Sequence, residues 1–367
     1  IKSQSLRNRI VLSPMCQYKA KNGFISDWHR QHYSRFAFSG LGGAFIEATA
    51  VSKNGRITHG CTGIWKDEHV DGLKDITKVF KEHNCVSGIQ LAHAGRKASC
   101  LRPWDGATSI IKNNGPEDLW ETYAPSALAV NENFQTPREL SIQNIEKIKS
   151  DFCNAAKRAN EANFEMLEIH GAHGYLLHSF FSPLSNHRSD KYGGTLENRM
   201  LLPLEIVKDV RNVWPLNKPL FYRVSSSDYV EGGNTITENI ILAQALADLG
   251  VDIIDCSSGG ISGSPILAKS PIVPGFQVPY SQKIKEEVDI QTMAVGAIID
   301  AEQAETIISS NRADLVAIGR ELLADPQWTY KAASKLSPEN AHTYLPKSYS
   351  FYLSRRDIDN CNSMMDL

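Results

Sequence analysis

The sequence lacks any long hydrophobic segment and any surplus of charge of one sign. No run of about 18 apolar residues occurs in the 367 residues, so no transmembrane helix is expected. The 39 Lys and Arg residues stand against 41 Asp and Glu residues, and the net charge of −2 does not favour nucleic acid or an anionic membrane as the main partner. A hydrophobic fraction of 42% and a charged fraction of 22% exclude disorder as the main state.

The cysteines lack the spacing of a disulfide framework or a zinc ribbon. There are seven, an odd number, and no two stand close enough to form a CxxC pair. Free thiols fit a reducing compartment, so we expect a cytoplasmic protein. The first residues, beginning at Ile1, carry no signal-peptide pattern.

What the chain contains instead is an alternation of short apolar runs and longer amphipathic segments. Each run is mostly rich in Val, Ile, Leu or Phe and is followed by Gly, Ser, His or Asn, which is the pattern of a buried parallel strand. The eight predicted strands are 9–15, 43–51, 86–91, 164–169, 220–224, 251–256, 291–295 and 314–318.

Helical patterns separate these strands. Ser141 is a predicted N-cap, and the apolar face of its helix carries Ile142, Ile145, Ile148 and Phe152. Gly250 is predicted to end another helix in the left-handed conformation. Further helices are expected to start near residues 27, 69, 196, 281 and 300.

Strand–helix repeats with right-handed crossovers predict a parallel sheet covered by helices, and eight such units close into a barrel. The predicted fold class is therefore α/β, a single (β/α)8 TIM barrel with an extended loop after strand 3, at 99–133. The barrel is expected to span 1–333 and a C-terminal tail 334–367. The alternative is an open doubly wound sheet, whose dinucleotide-binding form has no support because no GxGxxG follows the first strand.

In a barrel of this kind the chemistry lies at the carboxyl ends of the strands. Each of these ends, taken singly, could be a capping or core-satisfying polar group, but all eight converge on one face, which favours a functional site. The polar or glycine positions at these ends include Ser13, Cys16, Glu47, Gln90, His93, His170, His173, Arg223, Ser257, Gly296, Gly319 and Arg320.

The ends of the last two strands suggest a phosphate site. Gly296 and Gly319 allow backbone N–H groups to approach a ligand, and Arg320 adds a bidentate donor at a helix start. Loops after strands 7 and 8 are a recurrent phosphate site in barrels.

His170 and His173 form an HxxH pair with three open interpretations. They could be zinc ligands, although no HExxH motif and no third ligand are evident. They could be loop histidines that bond backbone carbonyls. They could also donate N–H groups to a substrate oxygen that gains negative charge, with Tyr175 as the proton donor.

Longer motifs, in the same order as in a known family, run from about residue 1 to about residue 333. They are Ser-Pro-Met-Cys-Gln-Tyr at 13–18, Gln-Leu-Ala-His-Ala-Gly-Arg-Lys-Ala at 90–98, His-Gly-Ala-His-Gly-Tyr-Leu-Leu-His at 170–178, Asp-Cys-Ser-Ser-Gly at 255–259 and Ile-Gly-Arg-Glu-Leu at 318–322. On these motifs the chain resembles the old yellow enzymes, FMN-dependent ene-reductases on a (β/α)8 barrel. It is most similar to their cysteine-containing NADPH dehydrogenase subclass.

The resemblance implies a role for each matching residue. The cofactor-binding residues would be Ser13, Pro14, Met15, Cys16 and Ala48 at the flavin ring, Gln90 at its pyrimidine, Arg223 near N1 and O2, and Gly296, Gly319 and Arg320 at the phosphate. The substrate would contact Tyr18, His170 and His173, with Tyr175 as the proton donor to carbon. FMN would be bound, NADPH or NADH would supply hydride, and enones would be reduced at C=C.

The resemblance also implies a homo-oligomer, and it has gaps. The family's short N-terminal hairpin is expected to be absent or truncated, and the tail motif around Arg355 and Arg356 does not match, so neither arginine is carried over as a site residue. Two other enzymes remain open alternatives: an iron–sulfur dienoyl-CoA reductase-like enzyme, which needs clustered cysteines, and a flavin-free metal-dependent barrel hydrolase. A non-catalytic barrel is a further alternative.

Overall fold

The computed structural model describes residues 1–110, 119–262 and 272–365, with side chains up to residue 356. The strands are β1 Ile10–Leu12, β2 Gly43–Ala50, β3 Val86–Ala92, β4 Tyr123–Ala124, β5 Arg138–Glu139, β6 Met166–Gly171, β7 Leu220–Ser225, β8 Ile253–Ser257, β9 Gln291–Val295 and β10 Leu315–Ile318. The helices are α1 Asp27–Ala37, α2 Val70–Glu82, α3 Ile142–Glu161, α4 Leu176–Phe181, α5 Leu196–Val213, α6 Ile236–Asp248, α7 Val278–Glu287, α8 Ala301–Ser309, α9 Arg320–Ala324, α10 Trp328–Leu336 and α11 Lys347–Met365.

Eight of these strands close into a parallel barrel in the order β1, β2, β3, β6, β7, β8, β9, β10. Helices connect successive barrel strands, so the predicted (β/α)8 barrel is confirmed and the open sheet is wrong. Because all eight strands run the same way, their carboxyl ends meet at one face.

The apolar core has two parts. One fills the interior of the barrel near the amino ends of the strands, with Phe45, Met166, Phe221, Ile253 and Met293 among its fully buried side chains. The other packs the outer face of the sheet against the helices. The interior part fills the bottom of the barrel, away from the carboxyl ends of the strands.

Helix signals in the sequence are largely confirmed. The Ser141 hydroxyl accepts the backbone N–H of Asn144 at 3.2 Å and caps α3. Gly250 follows α6 with φ +89°, which a residue with a Cβ rarely adopts. Ile142 was expected on the apolar face of α3 but is 44% exposed, because it stands in the first turn beyond the edge of the core.

Several predicted boundaries are wrong for local reasons. The first strand, expected over 9–15, ends at Leu12, because the chain leaves the sheet at residue 13 to border the site. The helix expected from residue 281 begins at Val278, since Pro279 needs no N–H partner in a first turn. The short helix α4 and the two-stranded ladder of β4 and β5 were not predicted.

The extended loop after β3 contains β4, and α3 follows it. Residues 111–118 of that predicted loop lie outside the described residues. At the other end of the chain, α10 spans position 333, and the division into barrel and tail stays a prediction. Among the helices that the structure describes, none is both long and apolar enough to cross a membrane.

Candidate active site

A cavity of about 730 Å³ opens at the carboxyl ends of the barrel strands. The predicted site residues that line it are Pro14, Met15, Tyr18, His173, Tyr175, Arg223, Gly296 and Arg320. Four other predicted residues are neighbours of this lining in the chain or by ring contact: Ser13, Cys16, His170 and Gly319. Ala48 and Gln90 pair with each other on β2 and β3 and do not border the lining in the chain or the sheet. The tertiary structure therefore brings most of the predicted set together at one place.

His170 and His173 are neutral imidazoles, and His170 is fixed as a hydrogen-bond donor. The His170 Nδ1 atom accepts the backbone N–H of Ala172 at 3.2 Å, so the single proton of the neutral ring is on Nε2. Burial, and then the charge of Arg223, lowers the pKa of both imidazoles well below the usual range. The two rings lie 5.2 Å apart and are nearly perpendicular.

The turn after β6 fixes the orientation of the second histidine. His173 has φ +59°, its backbone N–H donates to the Ser225 hydroxyl at 2.9 Å, and its Nε2 lies 2.7 Å from the Ser257 hydroxyl. These bonds tie the turn to β7 and β8. The imidazole is therefore held by two neighbouring strands and not only by its own loop.

Two tyrosines reach the same cavity. The Tyr175 ring packs edge-on against His170 with centroids 5.0 Å apart, and the Tyr18 ring packs edge-on against Trp104 at 5.7 Å. Burial raises the pKa of both phenols, so each keeps its proton at neutral pH. The Tyr175 O–H at the cavity and the His170 N–H thus belong to rings in direct contact.

The loop that carries Cys16 is held from below by a buried carboxylate. The backbone N–H of Gln17 donates to Glu47 Oε2 at 3.0 Å, and Glu47 Oε1 lies 3.2 Å from Nε2 of His29. The His29 Nδ1 accepts the Ser26 N–H at 3.1 Å, so its Nε2 carries the proton and faces Glu47 without hydrogen-bond alignment. Burial raises the pKa of the Cys16 thiol well above the usual range, and the sulfur stays protonated.

A cradle lies at the ends of β9 and β10. Gly296 has φ +116°, and a Cβ added there would stand 2.6 Å from Nε2 of Gln277. A Cβ on Gly319 would stand 3.2 Å from Sδ of Met15. Arg320 begins α9, is exposed to the cavity, and makes no ion pair or hydrogen bond within the described parts of the chain. Close backbone approach together with an unpaired guanidinium suits a phosphate.

Several residues at the cavity were missed by the sequence reasoning. Lys97 is buried, burial lowers its pKa to about 7, and its Nζ donates to the backbone oxygens of His173 and Gly260. Gln277 lines the cavity and donates to the Val295 oxygen at 2.9 Å. Lys97 lies within the motif at 90–98, which was the available signal, whereas the position of Gln277 depends on how the loop after β8 folds back.

The extended loop after β3 adds an apolar wall to the cavity. The lining residues that it contributes are Cys100, Leu101, Pro103, Ala107, Asn131 and Phe134. The cavity therefore has both an apolar contribution from this loop and the charged side chains of Arg223 and Arg320.

The described residues offer no set of side chains that could coordinate a metal ion. Within 1–110, 119–262 and 272–365, no three His, Cys, Asp or Glu side chains are grouped closely enough to hold a metal ion. The HxxH pair at His170 and His173 therefore has no third ligand there, and the zinc interpretation loses its main requirement.

Comparisons with known proteins agree with this geometry. The family model described as "NADH:flavin oxidoreductase / NADH oxidase family" matches residues 1–339. An NADPH dehydrogenase of Bacillus subtilis is 45% identical over 341 residues, 92% of this chain and 94% of the relative. An NADPH dehydrogenase of Clostridium acetobutylicum is 43% identical over 352 residues, 95% of this chain and 96% of the relative.

The solved structures include an old yellow enzyme homologue from Zymomonas mobilis with a TM-score of 0.74 and 23% sequence identity. The match covers 95% of this chain and 96% of that chain, and it supports the barrel fold. Since the family model covers most of the chain and the relatives match over nearly their whole length, this chain belongs to the NADH:flavin oxidoreductase / NADH oxidase family and is an oxidoreductase.

Proposed function

We propose that the enzyme binds FMN and uses NADPH or NADH to reduce the carbon–carbon double bond of α,β-unsaturated carbonyl compounds. The observation that carries this proposal is the pairing of the neutral His170 Nε2–H with the Tyr175 hydroxyl, whose rings are 5.0 Å apart beside the cavity. One group donates to a carbonyl oxygen and the other is a proton source for the carbon next to it. The names of the 45% and 43% identical relatives support the nicotinamide donor.

The residues present fit FMN. Gly296 and Gly319 leave space that a Cβ would fill, and Arg320 offers an unpaired cation for one terminal phosphate within the described chain. Arg223 lines the cavity and is 6% exposed. A cation at this place suits the pyrimidine end of a flavin. Ser13, Pro14, Met15, Cys16, Ala48 and Gln90 complete the proposed binding set.

The residues of the chain polarise and protonate the substrate. When bound, FMN would supply the hydride-transfer chemistry between the nicotinamide and the β-carbon of the substrate. His170 and His173 donate N–H groups to the carbonyl oxygen, which lowers the cost of negative charge there. The Tyr175 O–H supplies the proton for the α-carbon, and Tyr18 borders the substrate.

Two alternative enzymes have less support. An iron–sulfur enzyme of the dienoyl-CoA reductase kind needs clustered cysteines, but the six described cysteines are free thiols on different elements. A metal-dependent hydrolase needs a third ligand beside the HxxH pair, and the described residues offer none.

The first test concerns the cofactor. Purified protein is expected to be yellow and to release about one FMN per chain on denaturation, identified by chromatography. Arg320→Ala is expected to raise the FMN dissociation constant about tenfold, since one exposed charge-assisted bond is lost. Arg312→Ala is the matched control. Arg312 lies just before the amino end of β10, whereas Arg320 lies just after its carboxyl end, and the Arg312 guanidinium donates to Gln282.

Release of FAD, or a colourless protein that does not take up FMN, would contradict the proposal. An anaerobic titration with NADPH followed by cyclohexenone then tests both half-reactions. The flavin spectrum should bleach with NADPH and recover with the enone.

Cys16→Ala is expected to retain FMN and to change its reduction potential. Removing a polarizable sulfur and a weak S–H donor should shift the midpoint potential by on the order of tens of millivolts, where about 30 mV corresponds to about 1.4 kcal/mol. The two half-reaction rates should change in opposite directions. Cys256→Ala is the control, since Cys256 lies on β8 but packs toward the helices.

An unchanged potential with unchanged kinetics would leave Cys16 only a packing role. Complete loss of turnover at normal flavin content would contradict the proposed chemistry, because hydride transfer needs no covalent thiol. Burial raises the pKa of the Cys16 thiol, which disfavours a nucleophilic role.

The proposed assembly is a homo-oligomer in the cytoplasm, acting on small molecules. Free cysteines support a reducing compartment. The tail helix α11 exposes Tyr349, Phe351 and Tyr352, which is an apolar surface of the kind found between subunits. Whether Arg355 or Arg356 reaches a neighbouring site is tested by the effect of their removal on enone KM.

A further inference from the structure

A polar layer lies inside the barrel between the apolar bottom and the cavity. On three neighbouring strands the interior positions alternate, so that Glu168 follows Met166, Arg223 follows Phe221 and Asp255 follows Ile253. Gln90 joins the layer from β3, where it pairs in register with Glu168. Both carboxyl groups are completely buried. Of these four residues only Arg223 lines the cavity, and we place the other three beneath it.

The charges and hydrogen bonds of this layer do not balance if both carboxyls are ionised. Arg223 is the charged donor that faces them, and its Nε lies 3.2 Å from Oδ2 of Asp255 as an ion pair without hydrogen-bond alignment. Glu168 Oε1 accepts Nε2–H of Gln90 at 2.7 Å. Glu168 Oε2 and both oxygens of Asp255 have no hydrogen-bond donor among the described residues.

We propose that Glu168 is a positioning residue that carries a proton at neutral pH, donates it to Asp255 and holds Gln90 with its other oxygen. One proton then satisfies an oxygen on each carboxyl group, and the layer of Arg223, Asp255 and Glu168 becomes electrically neutral. Ionised Asp255 stays the single counter-charge of Arg223. Gln90, with its amide N–H committed to Glu168, keeps its orientation.

The environment of the pair supports this distribution. Burial, and then the nearby Asp255, raises the pKa of Glu168 well above its usual range, while Arg223 opposes that shift. Burial also raises the pKa of Asp255, but this carboxyl group faces the guanidinium of Arg223 directly. The charged groups that act on Glu168 are therefore Asp255 on β8 and Arg223 on β7.

The consequence for the cofactor rests on the proposed function. When Glu168 is neutral, Asp255 is the single negative charge that compensates Arg223 beneath the flavin site. An ionised Glu168 would add a negative charge there and would disfavour a negatively charged reduced flavin.

Infrared spectroscopy tests the proton directly and does not require bound flavin. The carbonyl stretch of a protonated carboxyl group, identified by its shift in D2O, is expected in the wild-type protein at pH 7 and absent from Glu168→Gln. Glu47→Gln is the matched control, because Glu47 is equally buried but surrounded by donors from His29, Tyr33 and Gln17, so this band should persist. Absence of the band in wild type, or its persistence in Glu168→Gln, overturns the proposal.

Flavin binding and redox equilibrium give a second readout. Glu168→Gln keeps the shape, the neutral charge and both hydrogen bonds, so the FMN dissociation constant and the reduced-to-oxidised ratio at fixed potential should stay within about threefold of wild type. Glu168→Leu removes both bonds and should weaken FMN binding about tenfold or more. A change above about tenfold in the redox ratio of Glu168→Gln, or about 30 mV, would mean that a charge had been removed.

The two readouts separate this inference from the proposed function. A protein that binds no FMN can still show the carboxyl band, and a flavoprotein can lack it. If Glu168→Gln does not fold, a neutron structure of the wild-type protein locates the deuteron between Glu168 and Asp255 or shows that neither carboxyl group carries one.

Discussion

Alanine in place of His170 is expected to leave the flavin bound and to slow enone reduction about 10²–10³-fold, the usual cost of losing one donor to a developing oxyanion. The Nε2–H of His170 is fixed as a donor because Nδ1 accepts the Ala172 N–H. Binding of phenols, which use the same donors, should weaken in parallel. Stopped-flow reoxidation of the reduced enzyme by cyclohexenone and phenol titration measure the two effects.

His93→Ala is the matched control for this prediction. Its Nδ1 accepts the Gly95 N–H at 3.1 Å, the same bond to the residue two positions on, and His93 also follows a barrel strand. His93 lines a different cavity, beside Lys53 and Lys147, whereas the His170 ring packs on His173 and Tyr175. Similar slowing in His93→Ala and His170→Ala would mean that the hydrogen bond of Nδ1 to the following turn matters and that the Nε2–H donor does not. Zinc lost together with activity in His170→Ala would support the metal interpretation instead.

Phenylalanine in place of Tyr175 is expected to slow protonation of the α-carbon and hence enone reduction by about 10²-fold. The ring and its packing on His170 remain, and only the O–H is lost. Reduction of the flavin by NADPH needs no proton from this residue and should keep its rate. Solvent can still supply a proton, so turnover should not vanish.

The comparison of the two half-reactions decides the role of Tyr175. Rapid mixing with NADPH and, separately, of the reduced enzyme with an enone measures each rate. Tyr222→Phe is the control, since Tyr222 is a buried tyrosine on β7 that packs among the core residues outside the cavity. Equal slowing of both half-reactions in Tyr175→Phe would assign the hydroxyl to packing.

Local sequence patterns predicted those parts of the fold that depend on neighbours in the chain. The Ser141 cap and the left-handed Gly250 are set by one residue type at one helix end. The early end of β1 was not predictable in this way, because residue 13 leaves the sheet where Gln17 bonds Glu47, a side chain of the next strand. The β4–β5 ladder has the same origin, since its two strands come together across a long loop.

The residues of the candidate site also fall into those that the local sequence predicted and those that it did not. The types of residue at the strand ends, and the motifs that resemble the family, could be recognised one position at a time. The buried Lys97 was overlooked because its importance comes from the oxygens of His173 and Gly260, which belong to other loops. Glu168 and Asp255 were overlooked because a carboxylate within a strand does not show in the sequence whether it faces another carboxylate.

The sequence by itself determined the eight barrel strands and their alternation with helices, the family and the chemical groups at the carboxyl ends of the strands, because periodicity and motif are properties of adjacent residues. Only the tertiary structure decided which of those groups carry protons. The Nε2 proton of His170 follows from a backbone N–H two residues away, and the shared proton proposed for Glu168 follows from Asp255 on a strand that barrel closure brings near. Protonation depends on distance and burial, and both arise only when the barrel closes.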